Sequence, residues 1–111
     1  MEPRIVKLDP PNGAQDVGTG VSELRVTFNV PMSGGCSWCT AGEDDSDFPK
    51  GPDGKRAYWT DDKKTCVLPV ILKPGMTYRL RLNAPGFNNF QSEAGVPLVP
   101  VAYSFKTAEP K

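Results

Sequence analysis

The sequence contains no histidine, and its 13 lysine and arginine residues are balanced by 13 aspartate and glutamate residues. The missing histidine removes the commonest general base and the commonest metal ligand, and it excludes a Ser–His–Asp triad within this chain. The zero net charge leaves no basic excess to neutralise a phosphate backbone, so we expect no nucleic-acid partner. The composition therefore predicts a protein that is not an enzyme.

Long apolar segments are also absent. No run approaches the roughly 20 apolar residues of a membrane-spanning helix, so we expect no membrane insertion. The opening residues, MEPR, begin no apolar stretch of the signal-peptide kind. The length of 111 residues suits one domain. We predict a single domain over residues 1–111, excised as a module from a longer protein, in which any export signal lies elsewhere.

Glycine and proline are abundant, with 11 and 12 residues among 111, which predicts many turns and few long helices. No window shows a sustained 3.6-residue period, whereas residues 23–30 (ELRVTFNV) and 76–83 (MTYRLRLN) alternate between apolar and polar side chains. In the second run the alternation places Asn83 on the polar, solvent-facing side. Short strands at this spacing, separated by turns, predict an all-β fold, an antiparallel β-sandwich of about seven strands.

The inner faces of the two predicted sheets supply the core. The expected core residues are Ile5, Leu24, Val26, Phe28, Trp38, Leu68, Tyr78, Leu80, Leu82, Tyr103 and Phe105.

A series of short motifs runs along nearly the whole chain. It consists of PNGAQDV at 11–17, TFNVPM at 27–32, KTCVLP at 64–69, LKPGMTY at 72–78, FNNF at 87–90, GVP at 95–97 and SFKT at 104–107. In this order the motifs resemble the bacterial Ig-like domains of the SbsA/Big_5 type. The resemblance implies an immunoglobulin-like β-sandwich that belongs to a cell-surface, periplasmic or secreted bacterial protein.

The resemblance also suggests a function. It implies a non-catalytic module that acts as a spacer or as an adhesive, protein-binding domain. Its partners would be neighbouring domains of the parent protein or another protein, and we expect the isolated module to be a monomer. The alternative is a carbohydrate-binding module, because exposed aromatic side chains can stack on sugar rings. The candidate residues for that binding surface are Trp38, Tyr58, Trp59, Phe87 and Phe90.

The three cysteines leave several alternatives open. Cys36 and Cys39 form a CxxC motif, which could serve as a thiol redox site. However, no βαβ pattern surrounds it, and on an extended strand the two side chains point to opposite faces. Zinc could recruit all three cysteines with one carboxylate, although neither a second CxxC nor a histidine is present. A disulfide could instead join Cys66 to Cys36 or to Cys39.

An acidic segment is the remaining candidate site. Glu43, Asp44, Asp45 and Asp47 could offer carboxylate oxygens to calcium, but their spacing is not that of an EF-hand. Such runs are usually solvated loops. We therefore expect no cofactor, with calcium as the alternative.

Overall fold

The computed structural model describes residues 3–41 and 47–109. These residues form eight β-strands and no helix, so the described part of the chain contains no helix that could cross a membrane. The strands are β1 Ile5–Asp9, β2 Ala14–Val17, β3 Glu23–Phe28, β4 Trp38–Thr40, β5 Tyr58–Trp59, β6 Thr65–Pro69, β7 Thr77–Leu82 and β8 Val101–Thr107.

The strands form two four-stranded sheets. Sheet A has the order β1-β3-β6-β5, and sheet B has the order β2-β8-β7-β4. All pairs are antiparallel except β2 with β8, which is parallel. The predicted all-β sandwich is confirmed, with one more strand than expected.

The additional strand is β2, which the sequence presents as part of a turn. The prolines at positions 10 and 11 end β1, and the chain then crosses to sheet B. There the Asn12 side chain donates to the Ala102 carbonyl and accepts from the Ser104 amide, at 2.9 and 3.0 Å. The Gly13 amide also donates to the Ser104 carbonyl, at 2.7 Å. These long-range bonds hold the segment against β8, so it becomes an edge strand.

The core fills the space between the sheets in two adjoining clusters. The first contains Val17, Leu24, Val70, Leu72, Tyr78, Leu80, Tyr103 and Phe105. The second contains Val26, Phe28, Met32, Cys66, Leu82, Phe90 and Leu98. Eight of the expected core residues are buried, whereas Ile5, Trp38 and Leu68 are only partly buried and pack against the edges of the clusters.

The prediction for Asn83 was wrong. This residue follows β7 and is fully buried, with a positive φ of 66° that ends the strand. The alternation therefore stops at Leu82, because the left-handed backbone at position 83 turns the amide side chain inward.

Residues 3–17 and β8 run in the same direction along the sandwich. Pro3 and Val101 line one groove at the start of this course. Farther along, the Tyr103 hydroxyl contacts the Pro10 carbonyl, and at the far end the Ala108 amide donates to the Val17 carbonyl. A seven-residue strand is about 20 Å long. The two ends of the described chain therefore lie near opposite ends of β8. The extents of the molecule are 47 × 30 × 27 Å.

Candidate functional site

Three of the five candidate aromatics pack together, with Phe90 buried and Trp38 and Trp59 partly buried. Phe90 is completely buried, and its ring centroid lies 5.6 Å from that of Trp38 and 6.0 Å from that of Trp59, both in edge-to-face geometry. Phe28 completes the cluster, at 5.5 Å from Phe90 and 5.9 Å from Trp59. These rings pack against one another, so part of the surface of each ring is covered by a neighbouring ring.

The other two aromatics are exposed. Tyr58 is 47% exposed and Phe87 is 60% exposed. The Tyr58 hydroxyl donates to the Glu23 carboxylate at 2.8 Å, and Arg25 donates to the other oxygen of that carboxylate at the same distance. Val67 lies between Arg25 and Tyr58 in the strand register and is almost fully buried. Tyr58 therefore helps to cover Val67 on the outer face of sheet A, and Tyr58 and Phe87 are the most exposed of the five candidate rings.

Cys66 and Cys36 meet between the sheets. Cys66 lies on β6, fully buried, opposite Val26 on one side and Trp59 on the other. Cys36 precedes β4, is partly buried and packs against the cluster that contains Cys66. A hydrogen bond between the two side chains is the largest influence on the pKa of each thiol. The indole N–H of Trp38 also donates to Cys66 Sγ, at 3.4 Å.

The two thiols of this pair differ in acidity. The hydrogen bond with Cys66 lowers the pKa of Cys36 to about 7, against the opposing effect of burial. The same hydrogen bond, with burial, raises the pKa of Cys66, although the Trp38 N–H opposes this rise. Cys36 is thus the thiol that ionises first, and the Cys66 proton stabilises its negative charge.

Cys39 does not belong to this pair. It lies on β4 opposite Arg81, and its Sγ donates to the Ser37 carbonyl at 3.5 Å. Burial raises the pKa of Cys39. All three cysteines are free thiols. Among residues 3–41 and 47–109, no three His, Cys, Asp or Glu side chains come close enough to hold a metal ion, so these residues alone do not assemble the zinc site considered from the sequence.

Most of the acidic candidate site lies outside the described residues, namely Glu43, Asp44 and Asp45. Asp47 is described, and its carboxylate forms an ion pair with Arg79 at 3.1 Å. The Asp47 carbonyl also accepts from the Arg79 amide, at 3.0 Å. Asp47 is therefore joined to β7, and calcium binding by this segment stays a prediction.

Asn83 is a buried residue whose structural role was not predicted from the sequence. Its side-chain amide donates to the carbonyls of Phe90 and Leu98, both at 2.9 Å, and its side-chain oxygen accepts from the Phe90 amide at 3.0 Å. One buried side chain thus holds the long connection between β7 and β8 in place. Its place directly after an alternating strand was the only available signal, and asparagine tolerates positive φ better than most residues.

An open apolar pocket of about 250 Å³ lies beside the end of β6. Phe48, Ile71, Met76 and Tyr78 supply its apolar walls, together with the two lysines at positions 50 and 73 and Gly51. The Tyr78 hydroxyl already accepts a hydrogen bond from the Lys73 amide, at 2.8 Å. Among the described residues, neither a carboxylate nor a thiol lines this pocket.

Comparison with known proteins supports the fold. No protein-family model and no curated protein sequence matches the chain. Two solved structures match its whole length with a TM-score of 0.56 and 15% identity: the S-layer protein rSbsC(31-844), and domains 1–6 of the surface layer protein SbsC. The chain corresponds to 14% of each of those chains. At this identity the likeness shows a shared fold.

Proposed function

We propose that this chain is a non-catalytic Ig-like module of a bacterial surface, periplasmic or secreted protein, of the SbsA/Big_5 type, which acts as an in-line spacer between neighbouring domains. The sequence motifs and the fold shared with one part of a much longer S-layer protein support this proposal.

The observation that carries the spacer function is the position of the two chain ends. The chain enters beside the start of β8 and leaves after its end. We infer that β8 runs along the 47 Å axis, so that a neighbour on each side would lie at an opposite end of it. Modules joined in this way extend a chain by nearly their full length. If both ends lay together, the module would instead project sideways from its neighbours.

The end where the chain enters also carries apolar surface suited to a neighbouring domain. Val99 is 67% exposed, and Val6 is exposed on the edge strand β1. Beside them an apolar groove is lined by Pro3, Ile5 and Leu98. Contacts between domains of one chain are usually modest in area and partly polar, and a small apolar surface next to Arg4 fits that type.

A tandem protein tests the spacer proposal. Two copies joined head to tail are compared with one copy by small-angle X-ray scattering. We expect the maximum dimension to grow by nearly the 47 Å long axis. Growth by no more than the 27–30 Å short axes would mean that the copies fold side by side, and the in-line proposal would fail.

The carbohydrate-binding alternative gains no support from the arrangement of the aromatic side chains, because Trp38, Trp59 and Phe90 pack on one another. Affinity electrophoresis in gels that contain common polysaccharides checks it directly. We expect unretarded migration on all of them, whereas retardation that is lost in Tyr58→Ala or Phe87→Ala would favour the carbohydrate-binding function.

A further inference from the structure

The Cys36 and Cys66 thiols link parts of the chain that belong to different sheets. Cys66 is the second residue of β6 in sheet A. Cys36 belongs to the segment that leads into β4 of sheet B. The neighbouring Ser37 ties this segment to sheet B, because its carbonyl accepts from the Asn83 amide and its hydroxyl accepts from the Asn89 amide, both at 3.0 Å. A covalent bond between the two sulfurs would therefore join the two sheets through the core.

We propose that Cys36 and Cys66 form a reversible inter-sheet disulfide by exchange with a low-molecular-weight disulfide such as oxidised glutathione, and that Cys39 stays a free thiol. Cys36 already packs against the apolar cluster that contains Cys66. Cys36 lies outside the strands and follows Gly34 and Gly35, residues whose backbone is less restricted than that of others. The bond to be formed is an S–S bond of about 2.05 Å. This inference is independent of the spacer proposal.

The exchange proceeds in two balanced steps. The Cys36 thiolate attacks one sulfur of the small disulfide, forms a mixed disulfide and releases one small thiolate. Cys66 then loses its proton and attacks the Cys36 sulfur, which completes the protein disulfide and releases the second small thiolate. The two protein thiols are oxidised, the small disulfide is reduced to two thiols, and the two protein protons pass to these products.

The surroundings of the two cysteines determine which of them reacts first. Cys36 is the partly exposed thiol with the lowered pKa, so it reacts with a reagent in solution, while fully buried Cys66 cannot. The hydrogen bond to Cys36 is the main reason that Cys66 keeps its proton. When Cys36 becomes a neutral mixed disulfide, it no longer carries the negative charge that opposes ionisation of Cys66. Cys66 therefore ionises more readily. The Trp38 N–H then stabilises the Cys66 thiolate.

The bond would also stabilise the fold. The two cysteines are about 30 residues apart in the sequence, and closing a loop of that size restricts the unfolded chain. For a domain of this length we expect oxidation to raise Tm by roughly 10 °C.

The experiment treats the reduced, folded full chain with oxidised glutathione. We expect the mass to fall by that of two hydrogens, one thiol to remain alkylatable, and peptide mapping to find Cys36 linked to Cys66. Cys39→Ser is the matched control and should form the same bond with the same rise in Tm, leaving no free thiol. Cys66→Ser should stop at one glutathione on Cys36.

Three outcomes would overturn the proposal. They are a linkage that includes Cys39, a glutathione adduct that persists on Cys36 in the parent chain, and three alkylatable thiols after treatment. Because all three are measured on the parent chain, the test does not depend on whether a variant folds.

Discussion

The hydroxyl of Tyr103 donates a hydrogen bond to the carbonyl oxygen of Pro10 across the interior, at 2.6 Å. Tyr103 lies on β8 of sheet B, and Pro10 directly follows β1 of sheet A. This bond therefore holds the chain where it crosses from one sheet to the other. Both groups are shielded from water, so neither finds another partner if the bond is lost.

Removing this hydroxyl should destabilise the protein without disturbing its packing. Tyr103→Phe keeps the ring contact with Phe105 but leaves the Pro10 carbonyl unsatisfied. We expect a loss of about 1–3 kcal/mol in the free energy of unfolding, measured by urea denaturation. Tyr58→Phe serves as the control, because its hydroxyl lies on the surface and bonds an exposed carboxylate. If both variants unfold at the same urea concentration as the parent, the hydrogen bond between Tyr103 and Pro10 does not contribute to the free energy of unfolding.

Tyr103 should also make the protein sensitive to alkali. Burial, together with the nearby Asp9 carboxylate, raises the pKa of Tyr103 above its ordinary value. Since the folded state disfavours the phenolate, this stabilisation is complete below the ordinary tyrosine pKa of about 10 and is lost as the pH rises from there toward the raised pKa. Unfolding curves between pH 8 and roughly pH 11 should therefore show a smaller alkaline loss in Tyr103→Phe. An equal loss in both proteins would contradict this.

Asn83 should be among the most sensitive positions of the chain. Asn83→Ala removes three buried hydrogen bonds and leaves a side chain at positive φ, so we expect a loss of roughly 3–4 kcal/mol in the free energy of unfolding. Asn83→Gly loses the same bonds but accepts the backbone conformation, and it should be less destabilised by about 1 kcal/mol. Equal values for the two variants would show that backbone strain contributes nothing here.

Phe90 and Phe87 offer a matched test of which aromatic residues stabilise the core. Phe90→Ala empties a fully buried site between Trp38 and Trp59 and should cost about 3–5 kcal/mol. Phe87→Ala removes an exposed ring and should change stability by no more than about 0.5 kcal/mol. Both are measured by urea unfolding. A small effect at Phe90 would mean that the aromatic cluster does not pack as described.

The reactivity of the cysteines should separate by pH. Cys36 has a pKa of about 7, so its alkylation rate should reach half its maximum near that pH. The corresponding midpoint for Cys39 should lie above the ordinary cysteine pKa of about 8.5, because burial raises its pKa. Peptide-resolved mass spectrometry after timed iodoacetamide labelling gives both midpoints in one sample.

The variant Cys66→Ala tests the cause of this acidity. It removes the hydrogen bond that favours the Cys36 thiolate, so the Cys36 midpoint should move up toward the ordinary value. The midpoint of Cys39 should not change, which provides an internal control. A Cys36 midpoint that stays near 7 in Cys66→Ala would show that another group lowers its pKa.

The sequence by itself determined the fold class and most of the core. Alternation along β3 and β7 is a local property, because successive side chains of a strand point to opposite faces whatever the strand pairs with. Leu24, Leu80 and Tyr103 were therefore assigned to the interior correctly. Proline and glycine likewise mark turns through their own backbone restrictions.

Only the tertiary structure decided which distant residues meet. Residue types in the sequence could not choose between Cys36 and Cys39 as the neighbour of Cys66, because that depends on how sheet B packs on sheet A. The same holds for Asn83, whose partners come from the connection that follows it. The alternation of apolar and polar residues along a strand shows which of its faces is buried. The contacts across the interior arise only when two sheets and their connections pack together.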